Sequence, residues 1–219
     1  MSESTSAAPQ PSQSVPSRRR VASSLAWAVP TVVAAAAAPA EAASPPPRID
    51  RVFSVRRATT ADVPGASVSA CGSSSTRLSV TTDNSTYYYR IANVQAGSTV
   101  TNVTASVLVQ KDMVDAMETG KNPTTFTWTS STPSWSTPVR EVSGTGSPVL
   151  YTNNGIQYYR YVSRLLTPVP APVSGTITLP RIGWYSNCST TLAGVSVNGR
   201  GSAVVNGKTL VNVGTYRTV

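Results

Sequence analysis

The chain has 219 residues, of which 40% are hydrophobic and only 12% charged, about half the charged fraction of an ordinary soluble domain. Its formal net charge is +9 and it contains no histidine, which excludes Ser-His-Asp and Cys-His nucleophile systems and removes the commonest metal ligand. Fourteen glycines and 17 prolines punctuate short runs of Val, Thr and Tyr, a pattern that predicts β-structure rather than a helical bundle.

The first 17 residues are a polar stretch of Ser, Pro, Gln and Ala, too poor in apolar side chains to fold alone. Next come Arg18, Arg19 and Arg20, an uncharged Ala- and Val-rich run over residues 21–38, and the small-residue pattern of Ala38, Ala40 and Ala42. A basic region, an apolar region and an A-x-A site in that order predict a cleavable export signal ending at Ala42. Arg18-Arg19 before the weakly apolar run resembles a twin-arginine signal, and residues 27–44 resemble the export leaders of actinobacterial surface proteins. The general secretory route is the alternative. Eighteen Ala-dominated residues interrupted by Pro30 make a marginal membrane span, so the processed chain is expected not to be an integral membrane protein.

The expected organisation is therefore a leader and signal over 1–42, a Pro-rich spacer over 43–48 and a folded region over 49–219. Cys71 and Cys188 are the only cysteines. An even count in an exported chain favours a disulfide between them, with two buried thiols as the alternative.

Within the folded region, residues 49–55 open the first strand, and residues 66–71 and 78–80 read as two more. Residues 86–91 alternate so that Tyr87, Tyr89 and Ile91 share one face, and Val103, Ala105, Val107 and Val109 alternate with Thr, Ser and Leu108. Residues 111–119 read as a helix, with Met113 and Met117 at i and i+4 and Gly120 as its terminator. Phe126 and Trp128 alternate with threonines, residues 156–162 are rich in aromatics, and apolar runs recur at 176–179, 195–197 and 210–213. Asn154-Gly155, Asn198-Gly199 and Asn206-Gly207 suit type I′ hairpin turns. The Pro-rich residues 167–172 read as a connection between sheets. Together these predict an all-β, antiparallel sandwich.

Residues 86–109, with alternating tyrosines, Asn93, Gly97 and Asn102-Val103, are similar to bacterial immunoglobulin-like surface repeats. The resemblance implies an immunoglobulin-like β-sandwich that acts by interaction. It departs at Lys111-Asp112-Met113, where the helix replaces the family's Asp and Pro-Gly turn. Tyr88-Tyr89-Arg90 recurs as Tyr158-Tyr159-Arg160, consistent with two related halves or with chance recurrence of Tyr-rich strands.

Chemistry is sparsely signalled. Asp112, Asp115 and Glu118 fall on one helix face, and a glycosidase would need two of Asp50, Asp62, Asp83, Asp112, Asp115, Glu118 and Glu141 to converge. No Ca²⁺ loop, zinc spacing, Gly-x-Ser-x-Gly or Ser-x-x-Lys motif occurs, so neither cofactor nor metal is expected, and a non-enzyme is. Tyr88, Arg90, Trp135, Tyr158 and Arg160 are the candidate binding surface, with Trp184 a further flat face near a Pro-rich loop, Trp128 assigned to the core and Trp135, between Pro133 and Pro138, the better candidate for exposure. The expected partners are anionic wall polymers, a glycan or a surface protein. Nucleic acid is not expected, because no basic helix or RNA-binding signature is present. The expected location is extracellular or at the cell wall, with retention non-covalent. A carboxylate-dependent envelope hydrolase and a secreted inhibitor or effector are the alternatives.

Overall fold

Alternating Val, Tyr and Ile positions bury one side of a strand, and turn dipeptides end it before it outgrows the core. A computed structural model describes residues 44–61, 68–170, 172–173 and 175–219. Arg18, Arg19, Ala40 and Ala42, predicted to belong to an export signal, and also Asp62, lie outside them. Pro45–Val219 forms one compact unit.

The described residues form an all-β fold of antiparallel sheets. A three-stranded sheet has the order β1 (Arg48–Val52), β4 (Tyr88–Val94), β10 (Gly175–Thr178). A four-stranded sheet runs β2 (Ser54–Ala58), β3 (Arg77–Thr81), β11 (Gly183–Ser186), β6 (Trp128–Ser130). The largest sheet runs β13 (Lys208–Asn212), β12 (Ser196–Val205), β5 (Val100–Gln110), β9 (Ile156–Arg164), β7 (Val139–Arg140). Two short strands extend it, β8 (Leu150–Asn153) beside β9 and β14 (Arg217–Thr218) beside β12. Helix α1 spans Lys111–Thr119, the predicted residues; Gly120 follows it in extended rather than left-handed backbone.

The large sheet packs its inner face on the two smaller ones. Between β1 and β2 the chain leaves one small sheet for the other, and at that break Phe53 turns into the core. Phe53 meets Tyr89 edge-on at 5.7 Å, and Tyr89 stacks on Trp135 at 5.9 Å. Opposite these rings β12 carries Gly199 and Gly201: a Cβ at Gly201 would lie 2.8 Å from the Tyr89 ring and one at Gly199 2.6 Å from Phe53. The large sheet can approach the aromatic layer because these two positions have no side chain. The Tyr89 hydroxyl lies 2.7 Å from the Thr104 carbonyl oxygen and 3.0 Å from that of Ser202, one strand on each side. A second aromatic group joins Phe126, Trp128 and Tyr161.

Several expectations change. Residues 68–71, part of the strand predicted over 66–71, form no strand, and Trp184 is fully buried in β11. Trp135 is 2% exposed, not a surface residue: its indole Nε1 donates to the Pro180 carbonyl at 3.1 Å, its backbone bridges to Leu165, and its ring packs against Tyr89 and Trp184. Asn198-Gly199 is not a hairpin turn. It lies inside the ten-residue β12, whereas Asn154-Gly155 and Asn206-Gly207 do adopt the paired positive φ of type I′ turns. The Pro-rich connection after β9 does pass from the large sheet to the three-stranded one.

Candidate functional site: an aromatic and guanidinium face

The predicted surface residues divide between sheets. On β4, where Tyr89 and Ile91 point to the core, Tyr88 and Arg90 point outward, and the Arg90 guanidinium lies 4.1 Å from the centre of the Tyr88 ring. On β9, Tyr159 and Tyr161 take the inward positions and Tyr158 and Arg160 the outward ones. The two Tyr-Arg pairs therefore belong to different sheets, and Trp135 joins neither. Tyr158 is 1% exposed, because Tyr216 lies against it at 4.6 Å. Cys71 and Cys188 are bonded, and Arg77 donates to both sulfurs, at 3.3 Å from Nε and 2.9 Å from Nη2.

Around Tyr158 the outward face of the large sheet brings Tyr151, Arg200 and Tyr216, which the sequence did not mark, beside the predicted Arg160. Arg160 lies 5.0 Å from the Tyr151 ring centre, and Arg200 of β12 lies 5.4 Å from Tyr151 and 5.9 Å from Tyr216. Glu141 neutralises Arg160 in an ion pair and accepts the Tyr151 hydroxyl at 2.7 Å. Desolvation, followed by that hydrogen bond, raises the Tyr151 pKa above its ordinary value. Arg200 donates to the Tyr216 hydroxyl at 2.9 Å and takes part in no ion pair among the described residues. Nε of Arg160, Nε of Arg200 and Oδ1 of Asn198 are buried there without hydrogen-bond partners.

The adjoining edge holds a cavity of about 280 Å³. β13 pairs with β12 from Gly201 onward and β14 with Ser196 and Val197, so residues 198–200 lie between the two ladders. The chain bulges past them: Asn198 Nδ2 donates to Val213 O at 2.9 Å, and Gly214 N donates to Asn212 Oδ1 at 3.1 Å. Gly214 has φ +59°, and a Cβ on it would come within 1.3 Å of Arg51 Nη2. Into this gap comes Arg51, whose register partner on β4 is Tyr89, so it stands at a core-facing position between Ile49 and Phe53. Desolvation is the main cause that pushes its pKa down to about 10, with the positive charges of Arg217 and Arg200 adding to the effect. Arg217 closes the cavity, its Nη2 donating to Phe53 O at 2.7 Å.

The carboxylates are differently disposed. Asp50 pairs with Arg48, Asp115 with Lys111, Glu118 with Arg140 and Glu141 with Arg160. Asp83 accepts the backbone N–H groups of Ser85 and Tyr87, and Asp112 is exposed. Burial works to raise the Asp115 pKa, but hydrogen bonds from Lys111 and Tyr159 outweigh it and hold the carboxyl below its usual range. A general acid for glycoside hydrolysis needs the opposite shift. Among the described residues no group of three or more Cys, Asp or Glu could hold a metal ion, and no helix is long and apolar enough to cross a membrane.

Arg51 had one legible signal: in the alternation Ile49, Arg51, Phe53 a charge occupies an inward position. Arg200 was hidden by the apparent Asn198-Gly199 turn, and Tyr151, Tyr216 and Arg217 by their short strands and loops. No protein-family model and no curated protein matches the chain.

Proposed function

We propose that the protein is an exported, non-catalytic β-sandwich of the immunoglobulin-like kind that acts at the cell surface or in the cell envelope by binding an anionic partner. One observation carries this reading. Arg51 and Arg217 line one cavity at the edge of the large sheet, Arg200 stands on the outward face of β12 beside it, and none of the three is in an ion pair with a carboxylate among the described residues, while Tyr151 and Tyr216 supply flat faces beside Arg200. Uncompensated guanidinium groups on a chain whose residues 43–219 carry a net charge of +8 (15 basic and seven acidic residues) attract polyanions over a Debye length of about 8 to 10 Å at physiological salt. Export is supported by the arginine pair, the apolar run and the small-residue site of the leader. The committed carboxylates support binding over carboxylate-based hydrolysis.

The test is retention of the purified protein on isolated cell-wall and membrane fractions across a salt series. Retention that falls steeply as salt rises is the expected result. Retention that ignores salt transfers the recognition to the tyrosine faces and a neutral glycan or protein, and absence of retention overturns the envelope reading in favour of a freely secreted inhibitor or effector.

A further inference from the structure

We infer that the cavity between β13 and β14 is a binding site for a phosphate group, held between Arg51 and Arg217. For the sign of its ligand this inference rests on the anion-binding reading above; for its place it rests on geometry.

The first consideration is the cost of Arg51. A guanidinium at a core-facing strand position is expensive unless paired and fully hydrogen-bonded. Arg51 has no ion-pair partner among the described residues, and its Nε is buried without a hydrogen-bond partner. Its packing contact is the Phe53 ring, 5.1 Å from the guanidinium carbon. The charged groups around it, Arg217 and Arg200, are also positive. The fold thus concentrates like charge where a dianion would relieve the repulsion.

The second is the shape of the walls. Gly214 and Gly199 line the cavity, and a side chain at Gly214 would occupy the place of the Arg51 guanidinium. Of the two asparagines that fix the bulge, Asn212 spends its side chain on Ile49 O and Gly214 N, and Asn198 gives its Nδ2 to Val213 O. The remaining polar lining is Arg51, Arg217 and Thr215: two guanidinium forks and a hydroxyl, a donor-rich set suited to a tetrahedral oxyanion. A volume of about 280 Å³ lies just under the range of drug-sized pockets, about 300 to 1,000 Å³. One phosphate group and a short ester arm fit that space, with Phe53 and Val55 as apolar floor for the arm.

The test uses the ¹⁵N-labelled full chain at fixed ionic strength, titrated with inorganic phosphate in one series and with soluble poly(glycerol phosphate) in another. Saturable amide shifts confined to Gly199, Gly214 and Thr215 are expected. Arg51→Met is expected to weaken binding at least tenfold while leaving the melting temperature unchanged or higher, because it removes a desolvated charge and keeps the volume. Arg217→Gln, at an exposed position, is expected to weaken binding several-fold without touching the core, and decides the matter should Arg51→Met fold poorly. Tighter binding of the polymer assigns the site to a phosphodiester chain, and tighter binding of inorganic phosphate assigns it to the free ion. Absence of saturable shifts, shifts scattered over Arg57, Arg164 and Lys208, or unaltered binding in Arg217→Gln overturns the inference. Phosphate binding without wall retention keeps the cavity and removes the envelope reading; wall retention without phosphate binding does the reverse.

Discussion

Replacing Cys71 and Cys188 together by serine should lower the stability of the protein by about 5 kcal/mol. The bond joins residues 117 apart in sequence, and on the chain-entropy model closing a loop of that size removes about 16 cal/mol/K from the unfolded chain, about 5 kcal/mol at 25 °C. The native side of the equilibrium changes little, because serine hydroxyls can still accept the hydrogen bonds that Arg77 gives the sulfurs, and β3 and β11 remain paired over Gly183–Tyr185. An unfolding entropy of about 2.1 cal/mol/K per residue over roughly 175 residues converts the loss to about 13 °C in melting temperature. Guanidinium chloride unfolding is the direct assay. Besides a lower midpoint, the double variant should show a larger m-value, since an unlinked chain exposes more surface when it unfolds. A loss under about 1 kcal/mol with unchanged m would refute the argument, because it would mean that the cross-link does not restrict the unfolded chain.

Gly201→Ala should cost about 2 kcal/mol, within the usual range for overpacking, and about 5 °C in melting temperature, because the new methyl would lie 2.8 Å from a Tyr89 ring pinned by Phe53, Trp135 and its own hydroxyl. Gly144→Ala, which meets nothing within 4 Å, is the control, and equal effects would contradict the packing argument. Melting temperature against pH should be flat from pH 5 to 8, where a chain without histidine has no titrating side chain in its ordinary range, and should drop below about pH 4. The sign follows from Asp83 and Asp115, whose folded pKa values are depressed by backbone N–H groups and by Lys111 and Tyr159 respectively. Their contribution is present above the unfolded carboxylate pKa and is lost as the pH falls through the folded one. Asp115→Asn should flatten part of that acid slope; a drop between pH 5 and 7 would contradict the assignment.

The alternation of Val103, Ala105, Val107 and Val109, the Met113 and Met117 spacing, and the Asn-Gly dipeptides at 154 and 206 were sufficient for β5, the bounds of α1 and two hairpins. These are local properties, set by side-chain period and backbone φ. The cysteine pair was legible as a count, and the outward positions of Tyr88 and Arg90 as parity. Trp135 and Asn198-Gly199 were misread because what decides them is non-local. Whether a Trp between prolines turns in depends on Tyr89, Trp184 and the Pro180 carbonyl, and whether Asn-Gly turns depends on the neighbour it meets, here β5 along the length of β12.

The candidate site follows the same division. Sequence by itself determined that the chain is basic, β-rich, without histidine, and able to form one cross-link, because composition and period act residue by residue. Only the tertiary structure decided that Arg51 of β1, Arg200 of β12 and Arg217 of β14 share one edge. Sheet pairing and the Gly199 and Gly214 approaches bring together residues more than 140 positions apart in sequence, and the repulsion between their charges exists only once that pairing has formed.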